Sequence, residues 1–158
     1  MNILVRKMTK EDIPQTAAIE REAYSVPWDE QGFAEAIAQE QNIFSVAECQ
    51  GEIIGYCGMY TAADEGEITN VAVKEEFRKH GVGSRILAYM IRQAADKGIA
   101  GIYLEVRSSN EAAQKLYRKY GFLAVGTRKN FYRKPDEDAI VMMCQPEIST
   151  TGKFHDHL

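Results

Sequence analysis

The sequence predicts a mixed α/β domain: a central sheet with both parallel and antiparallel neighbours, flanked by helices. Three observations predict it. A strand with Ile68, Val71 and Val73, a glycine-bearing loop, a long amphipathic helix from Val82 and an alternating strand from Ile102 to Arg107 follow one another, which is a crossover unit with parallel strands. β-rich runs on either side, joined at Gln50-Gly51 and between Phe122 and Cys144, read as antiparallel hairpins. Finally, 158 residues with 45% hydrophobic and 27% charged content suit one globular domain with a real core.

In chain order, Ile3 to Val5 begin a strand, and Thr9 with Asp12 marks a helix start that carries Ile13, Ala17, Ile19, Glu20 and Ala23 to Tyr24. Pro27-Trp28 breaks the chain, and Asp29 caps a short helix with Phe33, Ala36 and Ile37 on its apolar face. Trp28 reads as a packing anchor at a corner that would border a site at the sheet edge. Asn42 to Cys49 and Glu52 to Tyr60 are strands, and Ala62 to Gly66 is a polar turn. In the long helix, Ile86, Leu87, Met90, Ile91, Ala94 and Ala95 recur at helical spacing before Lys97-Gly98 ends it. Ser108-Ser109-Asn110 can cap a helix from Glu111 to Tyr120, which Gly121 closes. Strands are expected at Phe122 to Gly126 and Ala139 to Cys144, with Arg128 to Asp138 as a solvated connecting segment. One domain over residues 1–147 is expected, with 148–158 a disordered tail.

Composition narrows the partners. A net charge of −4 supplies no global field for nucleic acid. No apolar run approaches the roughly 20 residues that span a bilayer, and the chain opens on a strand pattern, so a cytoplasmic protein without a membrane partner is expected. Cys49, Cys57 and Cys144 lack C-x-x-C spacing and lie in apolar strand contexts, as reduced core thiols do. His155-Asp156-His157 is a weak metal signal, and no metal site is expected.

The loop Arg78-Lys79-His80-Gly81-Val82-Gly83 stands where a strand delivers the chain to a helix start. Glycines, cations and the unpaired N–H groups of a helix N-terminus converge there, which suits a pyrophosphate. A Walker A string is absent, and a Rossmann fingerprint fails because Ile86 stands where its third glycine would be. The pattern R-x-x-G-x-G after Val71-Ala72-Val73 resembles the acyl-CoA loop of the GNAT superfamily of N-acetyltransferases. Within it, Leu104-Glu105-Val106-Arg107 with Ser109-Asn110, and Leu116-Tyr117 with Gly121-Phe122, resemble the RimI branch, which acetylates the N-terminal alanine of a small-subunit ribosomal protein. Pro27-Trp28, Arg128 to Tyr132 and Glu137 to Met142 agree in order. Lys79, His80 and Phe131 depart from the residues frequent in relatives.

The resemblance implies a GNAT fold, in which two central parallel strands splay apart to admit acetyl-CoA as cosubstrate. It implies Glu105 as general base, through water, and Tyr117 as general acid. Val71 and Val73 would offer main-chain groups to the oxyanion and pantetheine, with Ala72 between them also at the cofactor. Arg78, Lys79, Gly81, Val82, Gly83 and Ser84 would hold the pyrophosphate, with His80 beside it. Asn110 would reach the CoA arm or cap its helix. The bland readings are a solvent-facing Glu105 and a core-packing Tyr117. Two rival functions remain at this stage: a small-molecule amine as acceptor, and a non-catalytic acyl-CoA sensor.

Overall fold

The structure, a computed structural model, describes residues 1–146. The expected tail and the His155-Asp156-His157 triplet lie outside the described residues. The strands are β1 (Leu4–Lys7), β2 (Ile43–Cys49), β3 (Glu52–Ala62), β4 (Glu65–Val73), β5 (Gly101–Arg107), β6 (Leu123–Tyr132) and β7 (Glu137–Cys144). The helices are α1 (Ile13–Ala23), α2 (Glu30–Ile37), α3 (Val82–Asp96) and α4 (Glu111–Lys119). One sheet holds all seven strands in the order β1-β2-β3-β4-β5-β7-β6. Among the described strands only β4 and β5 run parallel, as the crossover unit requires.

Each helix buries one stripe. On α3, Val82, Ile86, Leu87, Met90, Ile91, Ala94 and Ala95 are buried, and all of these but Ala95 join Tyr117 of α4 and Ile54, Cys57, Ile68, Leu104 and Val106 in one core. Across the sheet, Ile13, Ala17 and Ile19 of α1 and Phe33 and Ala36 of α2 pack with Phe44, Val46, Ile53 and Tyr56. Covered on both faces, β2 and β3 are nearly continuous runs of buried residues. Asp29 caps α2 by accepting from the Gly32 N–H at 2.9 Å. Trp28 packs against Phe33, Phe44 and Tyr60, with ring centroids 5.2, 6.2 and 6.0 Å away, as an anchor for the corner between α1 and α2.

β4 and β5 pair only from Glu65 with Gly101 to Ile68 with Leu104. Beyond that point they separate, because each follows its other neighbour. Gly58 opposes Asn70 while Met59 opposes Ile68, so Thr69 is an extra residue on β4, and a bulge bends the strand that carries it. β5 instead stays with β7 as far as the pair Arg107 and Ala139. The bulge also resets side-chain parity: Ile68 and Val71 pack on the α3 face, while Asn70 faces α1 through Glu20.

One expectation is corrected. Arg128 to Asp138 is not a connecting loop, since β6 continues to Tyr132 and β7 begins at Glu137. β6 is an edge strand exposed over nearly its whole length. Hydrogen bonds to β7 hold it without burial, so it carries no alternation of apolar residues to be read.

Candidate active site in the strand gap

The gap-facing edge of β4 follows from the ladder. Lys74 N–H donates to the Ile54 carbonyl at 2.8 Å; in an antiparallel pair these hydrogen-bonded positions alternate, so Ala72 and Asn70 also direct their main-chain groups at β3. Val71 and Val73 direct theirs into the gap. The main-chain groups of Ala72 are taken by the β3 ladder. The Val73 carbonyl accepts from Arg78 Nε at 3.1 Å. The Tyr24 hydroxyl donates to the Val71 carbonyl at 2.7 Å and accepts from the Val71 N–H at 3.3 Å.

The loop that follows leads into the start of α3. Gly81 is the N-cap of α3 at φ 79°, and Lys79 also lies in the left-handed region at φ 65°. The first intrahelical bond runs from Arg85 N–H to the Gly81 carbonyl at 3.1 Å. The N–H groups of Val82, Gly83 and Ser84 therefore have no helical acceptor and point out of the helix start, where the dipole is positive. Arg78, Lys79, His80 and Gly81 are exposed around that point. A Cβ at Gly83 would lie 3.4 Å from Leu116 Cδ2, so a larger residue there would crowd the approach to the pocket below.

Glu105 and Tyr117 lie on opposite faces of the sheet. Leu104 and Val106 point into the α3 core, so Glu105 between them points to the α1 face. Its side chain is 14% exposed, with Arg128 Nε 3.9 Å away. Burial first, and then the nearby Glu67 carboxylate, raise the Glu105 carboxyl above its ordinary pKa, while Arg128 opposes them. It is thus neither a freely solvated glutamate nor a locked ion pair. Tyr117 is 9% exposed and its ring packs against Phe122 at 5.7 Å between centroids. Its side chain also borders a small apolar pocket with Cys57, Ile68, Val71 and Gly83. Burial pushes the Tyr117 phenol above its ordinary value and the Cys57 thiol up to about 12. Tyr24 and Tyr132, the latter with the Arg107 guanidinium 4.4 Å over its ring, are both pushed up to about 12, chiefly by burial.

Asn110 caps α4, its side-chain oxygen accepting from Ala113 N–H at 3.1 Å. The three cysteines are free thiols, with Cys57 and Cys144 buried. Among the described residues no three His, Cys, Asp or Glu side chains are grouped to hold a metal, and no helix is long and apolar enough to cross a membrane.

Sequence reasoning missed a supporting network. Glu20, 2% exposed, accepts from the Tyr56 hydroxyl, from Asn70 Nδ2 at 3.3 and 3.2 Å, and from Trp28 N–H at 3.0 Å. It ties α1 to β3, to the bulged strand and to the corner before α2. The available signal was a glutamate at an inward position of an amphipathic helix. Tyr24 and the neighbours of Glu105, namely Glu67 and Arg128, carried no signal in the chain, because strand pairing alone assembles them.

Residues 13–122 match the model of the acetyltransferase (GNAT) family. A Bacillus subtilis (strain 168) protein is 35% identical over 139 residues, covering 87% of this chain and 92% of that one. The [ribosomal protein bS18]-alanine N-acetyltransferase of Escherichia coli (strain K12) is 33% identical over 133 residues, covering 83% and 89%. The crystal structure of the ribosomal-protein-S18-alanine N-acetyltransferase from Escherichia coli superposes with a TM-score of 0.86 at 28% identity over 95% of this chain and 97% of that one. The parted strands, the glycine-bearing helix start and these similarities lead to one assignment: the chain belongs to the GNAT acetyltransferase family and is an N-acetyltransferase.

Proposed function

We propose that this enzyme transfers the acetyl group of acetyl-CoA to the α-amino group of an N-terminal alanine on a small-subunit ribosomal protein. The observation that carries the reading is the gap itself. A carboxyl from one face and a phenol from the other meet the space between β4 and β5 beside the α3 N-terminus. The acceptor class is drawn from the similarity to the Escherichia coli enzyme named for it.

The reaction needs a neutral amine, a place for the oxyanion and a proton for sulfur. An α-amino group has a pKa of about 8, so a base must take its proton near neutral pH. Glu105, half-buried and with its carboxyl raised above its ordinary pKa by burial and by Glu67, is a stronger base than a solvated glutamate. The amine attacks the thioester carbon, the Val71 N–H receives the oxyanion, and the tetrahedral intermediate collapses with cleavage of the C–S bond. Arg78, Lys79 and the N–H groups of Val82, Gly83 and Ser84 bind pyrophosphate, with His80 beside it, and Val73 pairs with pantetheine. Asn110 borders the CoA arm while capping its helix.

Tyr117 supplies the proton to the thiolate. A phenol raised by burial is a poor acid toward a solvated thiolate of pKa about 8.5. In the same pocket, however, burial lifts the Cys57 thiol to about 12. A CoA thiolate released there meets similar desolvation, and donor and acceptor come back toward a match.

The test is acetylation of peptides with varied first residues, read by mass spectrometry beside a panel of small amines. Alanine-initiated peptide is the expected acceptor; transfer to small amines only overturns the acceptor assignment. Glu105→Gln and Tyr117→Phe are expected to cut turnover by about 10²-fold or more while acetyl-CoA affinity holds. Full turnover in either variant removes that residue from its role.

A further inference from the structure

We propose that Tyr24 sets the acyl-CoA affinity of this site by competing with the thioester for the main chain of Val71. The inference rests on the acyl-CoA reading and assigns a residue to which neither motif nor similarity gives a role. Val71 lies beyond the last β4–β5 pair, and its N–H and carbonyl face the gap. Among the described residues both have a single partner, the Tyr24 hydroxyl. The two contacts differ. The O–H donated to the carbonyl at 2.7 Å has the length of a good hydrogen bond, while the N–H contact at 3.3 Å is long. The phenol is therefore anchored through the carbonyl, and its oxygen stands on the N–H as a consequence.

That oxygen occupies the acceptor position a thioester carbonyl would need. A thioester has no proton to return to the Val71 carbonyl, so its entry breaks the shorter contact as well as the longer one. Tyr24 is placed to yield. It is the C-cap of α1, extended at φ −125° and ψ 143°, with its own N–H on the Glu20 carbonyl at 3.0 Å. Rotation about its side-chain bonds moves the hydroxyl off Val71 while its own backbone stays capped on α1.

Removing the hydroxyl leaves water as the competitor. An intramolecular hydrogen bond outweighs its water-exchanged equivalent by about fivefold in equilibrium terms, which is the expected gain. Titration calorimetry of the full chain and of Tyr24→Phe, with acetyl-CoA and with adenosine 3′,5′-bisphosphate, tests this. The bisphosphate carries the 3′-phosphate and the first 5′-phosphate of acetyl-CoA and no thioester. Acetyl-CoA is expected to bind Tyr24→Phe about fivefold tighter, with bisphosphate affinity unchanged. Unchanged or weaker acetyl-CoA binding overturns the inference, and so does an equal shift for both ligands, which marks a general structural effect. Should Tyr24→Phe fail to fold by thermal melting, Tyr24→Leu carries the same comparison, with the same outcomes supporting or overturning it. Wild-type protein that binds neither ligand sinks the acyl-CoA reading itself, a result separate from both.

Discussion

Replacing Glu20 by alanine strands three donors at once, those of Tyr56 and Asn70 buried and the Trp28 N–H partly so. Asn70 is 3% exposed and the Tyr56 side chain is fully buried, so water cannot replace the carboxylate for either of them. A buried donor left without a partner costs about 1–3 kcal/mol. Taken near the low end for each of the three, with a small term for the lost volume, the loss is about 4 kcal/mol. A domain of this size loses about 2–4 °C per kcal/mol, so a fall of about 8–16 °C in Tm is expected. Glu20→Gln is the informative companion. Its oxygen can keep Trp28 N–H and one Asn70 contact, but its NH₂ then faces the Tyr56 oxygen and leaves the Tyr56 O–H without its acceptor, so chiefly one buried donor is stranded, at about 1–3 kcal/mol. Urea denaturation of the two variants separates the effects. Alanine within 1 kcal/mol of wild type, or glutamine as damaging as alanine, refutes the view that three satisfied donors are what this carboxylate provides.

Other outcomes follow from the charges near the gap. The Glu67 carboxylate raises Glu105 and Arg128 lowers it. Glu67→Gln should therefore move the acid limb of the kcat/KM profile to lower pH, and Arg128→Ala should move it higher; shifts of one sign in both variants contradict the assignment of Glu105 as base. Glu137 accepts from Ser109 N–H at 2.6 Å and from the Ser108 hydroxyl at 3.1 Å, with Arg107 3.2 Å away. Hydrogen bonding from Ser109 leads the effects that lower its pKa to about 2. A folded-state pKa below the unfolded one stabilises above the unfolded value and is lost as pH falls through the folded one. The stability gap between wild type and Glu137→Gln, measured by urea denaturation, should therefore hold at pH 7 and shrink between pH about 4.5 and about 2. A gap constant across that window removes Glu137 from the acid response.

By itself, the sequence determined what local rules control. The apolar stripe of α3, the cap at Asp29, the glycines of the anion loop and the alternation about Glu105 each depend on neighbours within a few positions, and their spacing survives any rearrangement of the rest. The Arg78 loop and the placement of Glu105 on the polar side of its strand were legible for that reason. What the tertiary structure decided depends on pairing between distant segments. The edge strand β6 had no buried face to show, because its hydrogen bonds come from β7. The bulge at Thr69 is defined only by the register against β3, and it turns β4 away from β5, sets which main-chain groups face the gap and so removes Ala72 from them. Tyr24 reaches Val71 across 47 positions of chain, and Glu67 and Arg128 come to Glu105 from strands on either side. Such contacts arise from sheet order, which no local pattern encodes.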